Sequence, residues 1–399
     1  MKKSLLIFCW LVGAPSTAFA VLIIVPAPTY YLWMVAVAAS EWSVWLVLSG
    51  LVTLLCGATA LSMDRRSKAA RLSIAFSLVT LICASLPVVE AYRVAGREGV
   101  SLSWGRYLFG GRQVPFVVID EQRDVEFARP DGQAILLDIY HPRSSDERGL
   151  AVNLTSTGLL PAIIVIHGGS WRSGTKSDFA QYDRWLAENG RVVFDVNYRL
   201  ANPRQHFPAQ LLDVEFAILW VKSHAAHYSV DPNRIALLGR SAGGQLALLA
   251  AYTANDSTRN PVSRDSQDTR VRAVISFYGP TDLSWDYDHP GRPDVIGTRQ
   301  VLENYLDGSP ATASPTYTAA SPIVHVNAKS PPTLFLHGGH DQIVRKENVE
   351  RIIPKLTAAG VPYSYIYLPW ANHGFDYNFN GWSSQIVQAE ISKFLDEYL

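Results

Sequence analysis

The sequence predicts an α/β fold, a mostly parallel sheet with helices on both faces, preceded by an α-helical membrane region. Three observations predict it. From about residue 160 onward, short fully apolar runs alternate with helix-length segments, the pattern of strands buried on both faces. Gly239-Arg240-Ser241-Ala242-Gly243 sits between an apolar strand and a helix-forming run, the setting a nucleophile elbow requires. Residues 1–90 are rich in Leu, Val, Ile, Ala and Trp and carry few charges, whereas the remainder has ordinary globular composition.

Crossing a hydrocarbon core takes roughly 20 apolar helical residues. Residues 5–25 and 44–63 meet that length, and 72–89 meets it more narrowly. Lys2 and Lys3 precede the first run, and the loop from Asp64 through Arg65, Arg66 and Lys68 to Arg71 separates the second from the third. The positive-inside tendency puts both basic clusters in the cytoplasm. Three spans then predict a multi-pass protein, in contact with bilayer lipid, with residues 91–399 on the extracytoplasmic face. Two features leave alternatives open. Ala18-Phe19-Ala20 has the form of a signal-peptide cleavage site, although the apolar run continues through it to Val25. Residues 31–39 either extend the second span or belong to another, and a fourth span would reverse the sidedness.

Residues 91–115 read as a linker punctuated by Gly96, Gly99, Gly105, Gly110 and Gly111, and 116–399 as one catalytic domain. That domain opens with strands at 117–127 and 134–140 around the turn Pro130-Asp131-Gly132. The polar stretch 144–157 reads as a loop. Strands follow at 162–166, 192–196, 235–238, 273–277, 333–336 and 363–368, with helices near 179–189, 209–222, 346–359 and 383–398. Residues 281–320, rich in Pro, Gly, Asp, Tyr and Trp, break the alternation and read as an insertion covering the site. The 35 basic and 35 acidic side chains balance, so the charge footprint of a nucleic-acid binder is missing. Cys9, Cys56 and Cys83 all lie in the apolar third, leaving no cysteine ligand or disulfide in the catalytic region.

In a nucleophile-elbow fold the triad runs Ser, acid, His along the chain. His373 is the histidine that lies beyond the last-but-one strand with an acid upstream, in Pro369-Trp370-Ala371-Asn372-His373-Gly374-Phe375. Asp341 follows the preceding strand in His337-Gly338-Gly339-His340-Asp341. The expected triad is therefore Ser241, Asp341 and His373. Asp282 competes from one strand earlier, and Asp376 lies after the histidine. A serine hydroxyl needs a neighbouring imidazole to take its proton, and the imidazole needs a carboxylate to fix its tautomer. His167-Gly168-Gly169-Ser170-Trp171, directly after an apolar strand, supplies the glycine turn whose N–H groups face a developing oxyanion. Gly168, Gly169 and Ala242 are the expected donors, with His167 structural.

These residues resemble the hormone-sensitive-lipase and carboxylesterase-like branch of the α/β-hydrolases. The resemblance spans residues 160–375 and rests on the Gly168-Gly169 loop, Asn197-Tyr198-Arg199-Leu200, the elbow with Gly244, the Asp341 loop and Asn372-His373-Gly374-Phe375. It implies the α/β-hydrolase fold and a serine esterase or lipase activity without a cofactor. The sequence departs from the pattern twice. The donor loop reads Gly-Gly-Ser-Trp, closer to enzymes acting on small acyl groups, and Arg240 stands in the elbow where an acidic or amide residue is more usual.

The expected substrate is a small-molecule or lipid-like ester. Amide hydrolysis (as in aryl formamidases or exopeptidases), acyl transfer, and a silent binding protein on the same fold are the alternatives. Trp171, Tyr198, Tyr278, Trp285 and Trp370 are candidate pocket residues, with aromatic core packing as the competing reading. Asp213 and Glu215 read as capping or solvent-facing, and His224 and His227 as surface residues lacking a third metal ligand.

Overall fold

The computed structural model describes residues 1–110, 117–143, 158–254 and 268–399. The expected loop 144–157 and the end of the expected linker lie outside the described residues. At the N-terminus, α1 (Lys2–Phe8) widens into a π turn over Cys9–Gly13 and continues as α2 (Ala14–Val21). α3 (Tyr30–Glu41), α4 (Ser43–Met63) and α5 (Lys68–Glu98) follow. Lys2–Val21, Ser43–Met63 and Lys68–Glu98 are long and apolar enough to cross a membrane. Small and hydroxyl residues form their contacts: Gly57 faces Ser73 and Ile74, and Thr17 Oγ1 lies 2.8 Å from Thr80 Oγ1. Lys2 Nζ pairs with Asp64 at 2.5 Å, so the N-terminal lysines and the basic loop share one end of the bundle.

Two stretches differ from the sequence reading. Residues 91–98 are the end of α5, not linker, and Gly99 (φ +71) is its left-handed cap. Gly105 lies inside α6 (Trp104–Phe109), which Gly110 (φ +64) ends. Of the glycines that read as linker punctuation, Gly99 and Gly110 are helix caps, whereas Gly96 and Gly105 lie within α5 and α6. Ala91, Val94 and Ala95 of α5 and Tyr107 of α6 join a hydrophobic core shared with the sheet. Residues 31–39 likewise extend no span: the chain breaks at Trp42 (φ −110, ψ 25), and α3 packs on the catalytic region.

The sheet contains β1 (Val118–Ala128), β2 (Ile135–Arg143), β3 (Leu160–Ile166), β4 (Val192–Val196), β5 (Val230–Arg240), β6 (Ala273–Phe277), β7 (Thr333–Gly338) and β8 (Tyr363–Leu368). Their order is β1-β2-β4-β3-β5-β6-β7-β8. β2 pairs antiparallel with both β1 and β4, and the other pairs are parallel. Alternating side chains feed two cores. Ile164, Leu237 and Val274 face α8 (Ala209–Ser223) and α9 (Ala242–Tyr252). Val165, Leu238 and Ile275 face α7 (Ala180–Glu188) and α15 (Trp382–Tyr398). α10 (Leu283–Asp288), α11 (Thr298–Leu306), α12 (Pro310–Ala320) and α13 (Pro322–His325) intervene between β6 and β7, and α14 (Glu347–Ala359) joins β7 to β8. Register sets Ile166 beside Gly239 and Arg240 beside Phe277, bringing the ends of β3, β5 and β6 together.

Candidate active site

Ser241 sits between β5 and α9 at φ 53, ψ −119, a conformation costing a side-chain-bearing residue about 1–3 kcal/mol. The flanking glycines make this turn possible. A Cβ on Gly239 would lie 2.0 Å from Gly243 O, and one on Gly243 would lie 2.2 Å from Ile166 O. The Ser241 N–H donates to Phe277 O at 2.9 Å, fixing the elbow to the neighbouring strand end.

His373 Nε2 lies 2.9 Å from Ser241 Oγ, and its Nδ1 lies 2.8 Å from Asp341 Oδ2. The other carboxylate oxygen, Oδ1, accepts the N–H groups of Ile343 and Val344, each at 2.9 Å. One oxygen thus anchors the acid's loop while the other faces the imidazole. His337 Nε2 lies 2.9 Å from Val344 O and 3.6 Å from Asp341 Oδ2, and burial lowers its pKa toward the neutral ring. Asp282 is committed elsewhere: it caps α10 through Trp285 N and pairs with Arg351 at 2.7 Å.

The donor loop passes against the elbow. A Cβ on Gly168 would lie 3.3 Å from Ser241 Cβ, and Gly169 adopts φ +108. Ala242 is the first residue of α9, so its N–H has no partner within the helix. His167 stacks on Tyr198 at 4.2 Å and its Nδ1 lies 2.7 Å from Gly168 O; burial lowers its pKa too. The Asn197-Tyr198-Arg199 motif supports this loop. Asn197 Oδ1 accepts the Lys176 N–H at 2.7 Å, and the Tyr198 hydroxyl donates to His167 O at 3.1 Å. Arg199 makes a buried fork to Asp213, with Nε and Nη2 contacts of 2.8–3.0 Å. Asp213 and Glu215 are therefore wholly buried, contrary to the solvent-facing expectation, because Arg199 gives the first an internal cation.

Two cavities meet Ser241. The larger, about 460 Å³, is lined by Gly168, Gly169, Tyr278, His373 and Tyr377, and by Tyr30 and Trp33 of α3. The smaller, about 30 Å³, lies among Trp171, Ala242, Ile296, Val301 and Val344. Asp286 also lines it, its carboxyl pushed up to about 7 by burial. Among the pocket candidates, Tyr278 and Trp171 reach these cavities and the other three do not. Tyr198 is spent on His167, Trp370 is buried in the core under the histidine loop, and Trp285 stacks on His289 at 4.6 Å. Sequence reasoning missed Tyr30 and Trp33; the aromatic run after Pro26-Ala27-Pro28-Thr29, with Thr29 capping α3, was the available signal. Residues 281–320 contribute Val295 and Ile296 to the larger cavity.

Arg240 faces away from bulk water. It is 1% exposed, donates from Nε to Asp376 Oδ2 at 2.6 Å and lies 4.0 Å from the Phe179 ring centroid. Burial opposes its charge, but Asp376, with Tyr278 and Tyr182, more than offsets this and its pKa is raised. Tyr278 donates to the other Asp376 oxygen at 2.5 Å, and its ring lies 4.3 Å from that of His373. No group of three or more metal-binding side chains occurs among the described residues. His224 stacks on Trp220 at 4.1 Å.

The chain is similar to several named proteins. The probable carboxylic ester hydrolase LipM of Mycobacterium tuberculosis is 37% identical over 229 residues, 56% of this chain and 51% of that protein. Esterase LipQ of the same organism is 33% identical over 269 residues, 67% of this chain and 60% of its own length. This chain thus spans about half the length of the curated relatives it matches. Among solved structures, a truncated carbohydrate esterase from gut microbiota superposes with a TM-score of 0.57 at 24% identity, covering 70% of this chain and 96% of that one. Esterase Est2 of Thermogutta terrifontis gives 0.55 at 24%, covering 71% and 93%. The fold is that of the α/β-hydrolases. The BD-FAE family model matches residues 137–356, more than half of the sequence, and the chain belongs to that family.

Proposed function

We propose that the protein is a membrane-anchored serine hydrolase that cleaves carboxylic esters through an acyl-enzyme. The observation that carries this reading is the unbroken relay from Ser241 through His373 to Asp341, with contacts of 2.9 and 2.8 Å. Ser241 Oγ attacks the ester carbonyl as His373 Nε2 takes its proton, and Asp341 holds the imidazolium. The N–H groups of Gly168, Gly169 and Ala242 stabilise the oxyanion. His373 returns the proton to the departing alcohol, and water then attacks the acyl-enzyme by the reverse relay. The relatives' names, carboxylic ester hydrolase and esterase, support the same reaction class. Cavity sizes support a division of the ester between them. A water molecule needs roughly 10–15 Å³ of such space, so the 30 Å³ cavity suits a short acyl group and the 460 Å³ cavity takes the alcohol.

Three apolar helices serve as the anchor, and the shared position of Lys2 and the basic loop supports a cytoplasmic placement for that end. The catalytic domain then lies on the extracytoplasmic face, and protease added to intact cells should degrade it.

Fluorophosphonate labelling tests the chemistry. Wild type should label at Ser241, and Ser241→Ala should lose labelling and on the order of 10⁶-fold in kcat. Asp341→Asn should lose on the order of 10⁴-fold, while Asp282→Asn stays near wild type. Folded wild type that neither labels nor hydrolyses p-nitrophenyl acetate would overturn the proposal.

A further inference from the structure

The larger cavity has a wall that does not come from the hydrolase domain. α3 lies between two membrane-length helices, and its inward side chains close over the catalytic loops. Trp33 Nε1 donates to Asn372 Oδ1 at 3.1 Å, the same oxygen that accepts the His373 N–H at 3.1 Å. The Trp33 ring lies 6.4 Å from the His373 ring and packs with Val295 and Ile343. The connection into α3 is tied to the acid's loop: the Ala27 N–H donates to Gln342 Oε1 at 2.9 Å, and His340 Nδ1 lies 3.0 Å from Ile23 O. Its far end is tied down as well, with Glu41 O accepting from Asn378 Nδ2 and the Tyr107 hydroxyl, both at 2.9 Å.

The outward side of α3 carries the opposite signature. Tyr31 and Met34 of α3 are exposed, close in sequence to exposed Trp42 at the α3–α4 break, Trp45 in the first turn of α4, and Ile24 and Val25 after the preceding span. Tyr and Trp gathered where two spans emerge mark the interfacial belt of a bilayer. One short helix therefore presents exposed aromatic and apolar side chains on one side and packs against the His373 loop on the other.

We infer that α3 opens the alcohol cavity toward the membrane, and that Trp33 is a specificity-determining residue for esters whose alcohol part is a membrane-embedded hydrocarbon chain. This rests on the ester-hydrolase reading above. A short acyl group enters the small cavity while the alcohol chain passes Tyr30 and Trp33 and remains in the outer leaflet.

The experiment uses the full chain in phosphatidylcholine vesicles and two unactivated alkyl esters with the same acyl group, water-soluble ethyl acetate and bilayer-dissolved hexadecyl acetate. Wild type should show the higher kcat/KM on hexadecyl acetate. Trp33→Ala should reduce that preference at least tenfold, mainly through KM, and Trp33→Phe should restore part of it. Fluorophosphonate labelling of Ser241 in each variant reports a folded site. Labelled variants with an unchanged preference, or a wild type favouring the soluble ester, would overturn the inference and leave the hydrolase reading intact. Absence of labelling and of hydrolysis in wild type would overturn both.

Discussion

Arg240, the residue before Ser241, holds Asp376, three residues after His373, through a buried 2.6 Å ion pair. The pair joins the elbow to the loop carrying His373, so the Ser241–His373 distance is braced from beneath. Three rings, Phe179, Tyr182 and Phe277, lie within 4.0–4.8 Å of the guanidinium carbon and take the place of water around it. The unusual elbow residue is therefore a brace between the elbow and the His373 loop.

Breaking such a pair from one side strands a buried charge, at about 3–5 kcal/mol. Arg240→Met and Asp376→Leu should each lower the unfolding midpoint strongly. The double variant should be less destabilised than the sum of the singles, because it leaves neither charge alone. Denaturant titration of the three proteins measures the coupling. Additive losses would mean that the two residues do not act as a unit.

The sheet was legible because each buried strand is a short apolar run, and the elbow motif, strand ends and chain order singled out Ser241, Asp341 and His373, which the fold brings into contact. What escaped the sequence depends on contacts between distant segments. Arg240 has no meaning until Asp376, 136 residues later, folds against it. Asp213 reads as a surface carboxylate until Arg199 is brought beneath it. Trp33 belongs to an apolar stretch whose periodicity resembles a membrane span, and only its hydrogen bond to Asn372, 339 residues away, assigns it to the site. Local patterns encode elements, whereas partners across the fold do not leave a local trace.

Acyl-chain selectivity should follow the small cavity. Val301 of α11 and Val344 are buried in its wall, beside the partly buried Ile296. Wild type should hydrolyse p-nitrophenyl acetate and propionate and decline steeply by the octanoate. A methylene in an apolar pocket is worth about 1–3 kcal/mol, roughly 10–200-fold in kcat/KM. Val301→Ala should move the optimum toward longer chains without loss of fluorophosphonate labelling. An unchanged chain-length profile would place the acyl group elsewhere.

Docking of α3 should depend on pH through its last residue. Glu41 is buried, its Oε1 accepts from Ser383 Oγ at 2.9 Å, and its Oε2 has no hydrogen-bond partner among the described residues. Burial pushes its carboxyl up to about 8; the Ser383 hydrogen bond works in the other direction and the nearby Asp376 adds to the rise. The native protein thus keeps a proton that an unfolded chain, with the ordinary value of 4.5, has released. Unfolding is then linked to proton loss, so this contribution to stability is complete below about pH 4.5 and declines as pH rises toward 8. Asp286, pushed up to about 7 by burial, adds to the same decline. The measurement is therefore the difference between wild type and Glu41→Gln, which keeps the shape and cannot ionise. In detergent, the thermal midpoint of wild type should fall from pH 6 to pH 9, and that of Glu41→Gln should fall less. Equal slopes would show that Glu41 is already charged in the folded protein, and that α3 docks on the catalytic loops with a carboxylate beneath it.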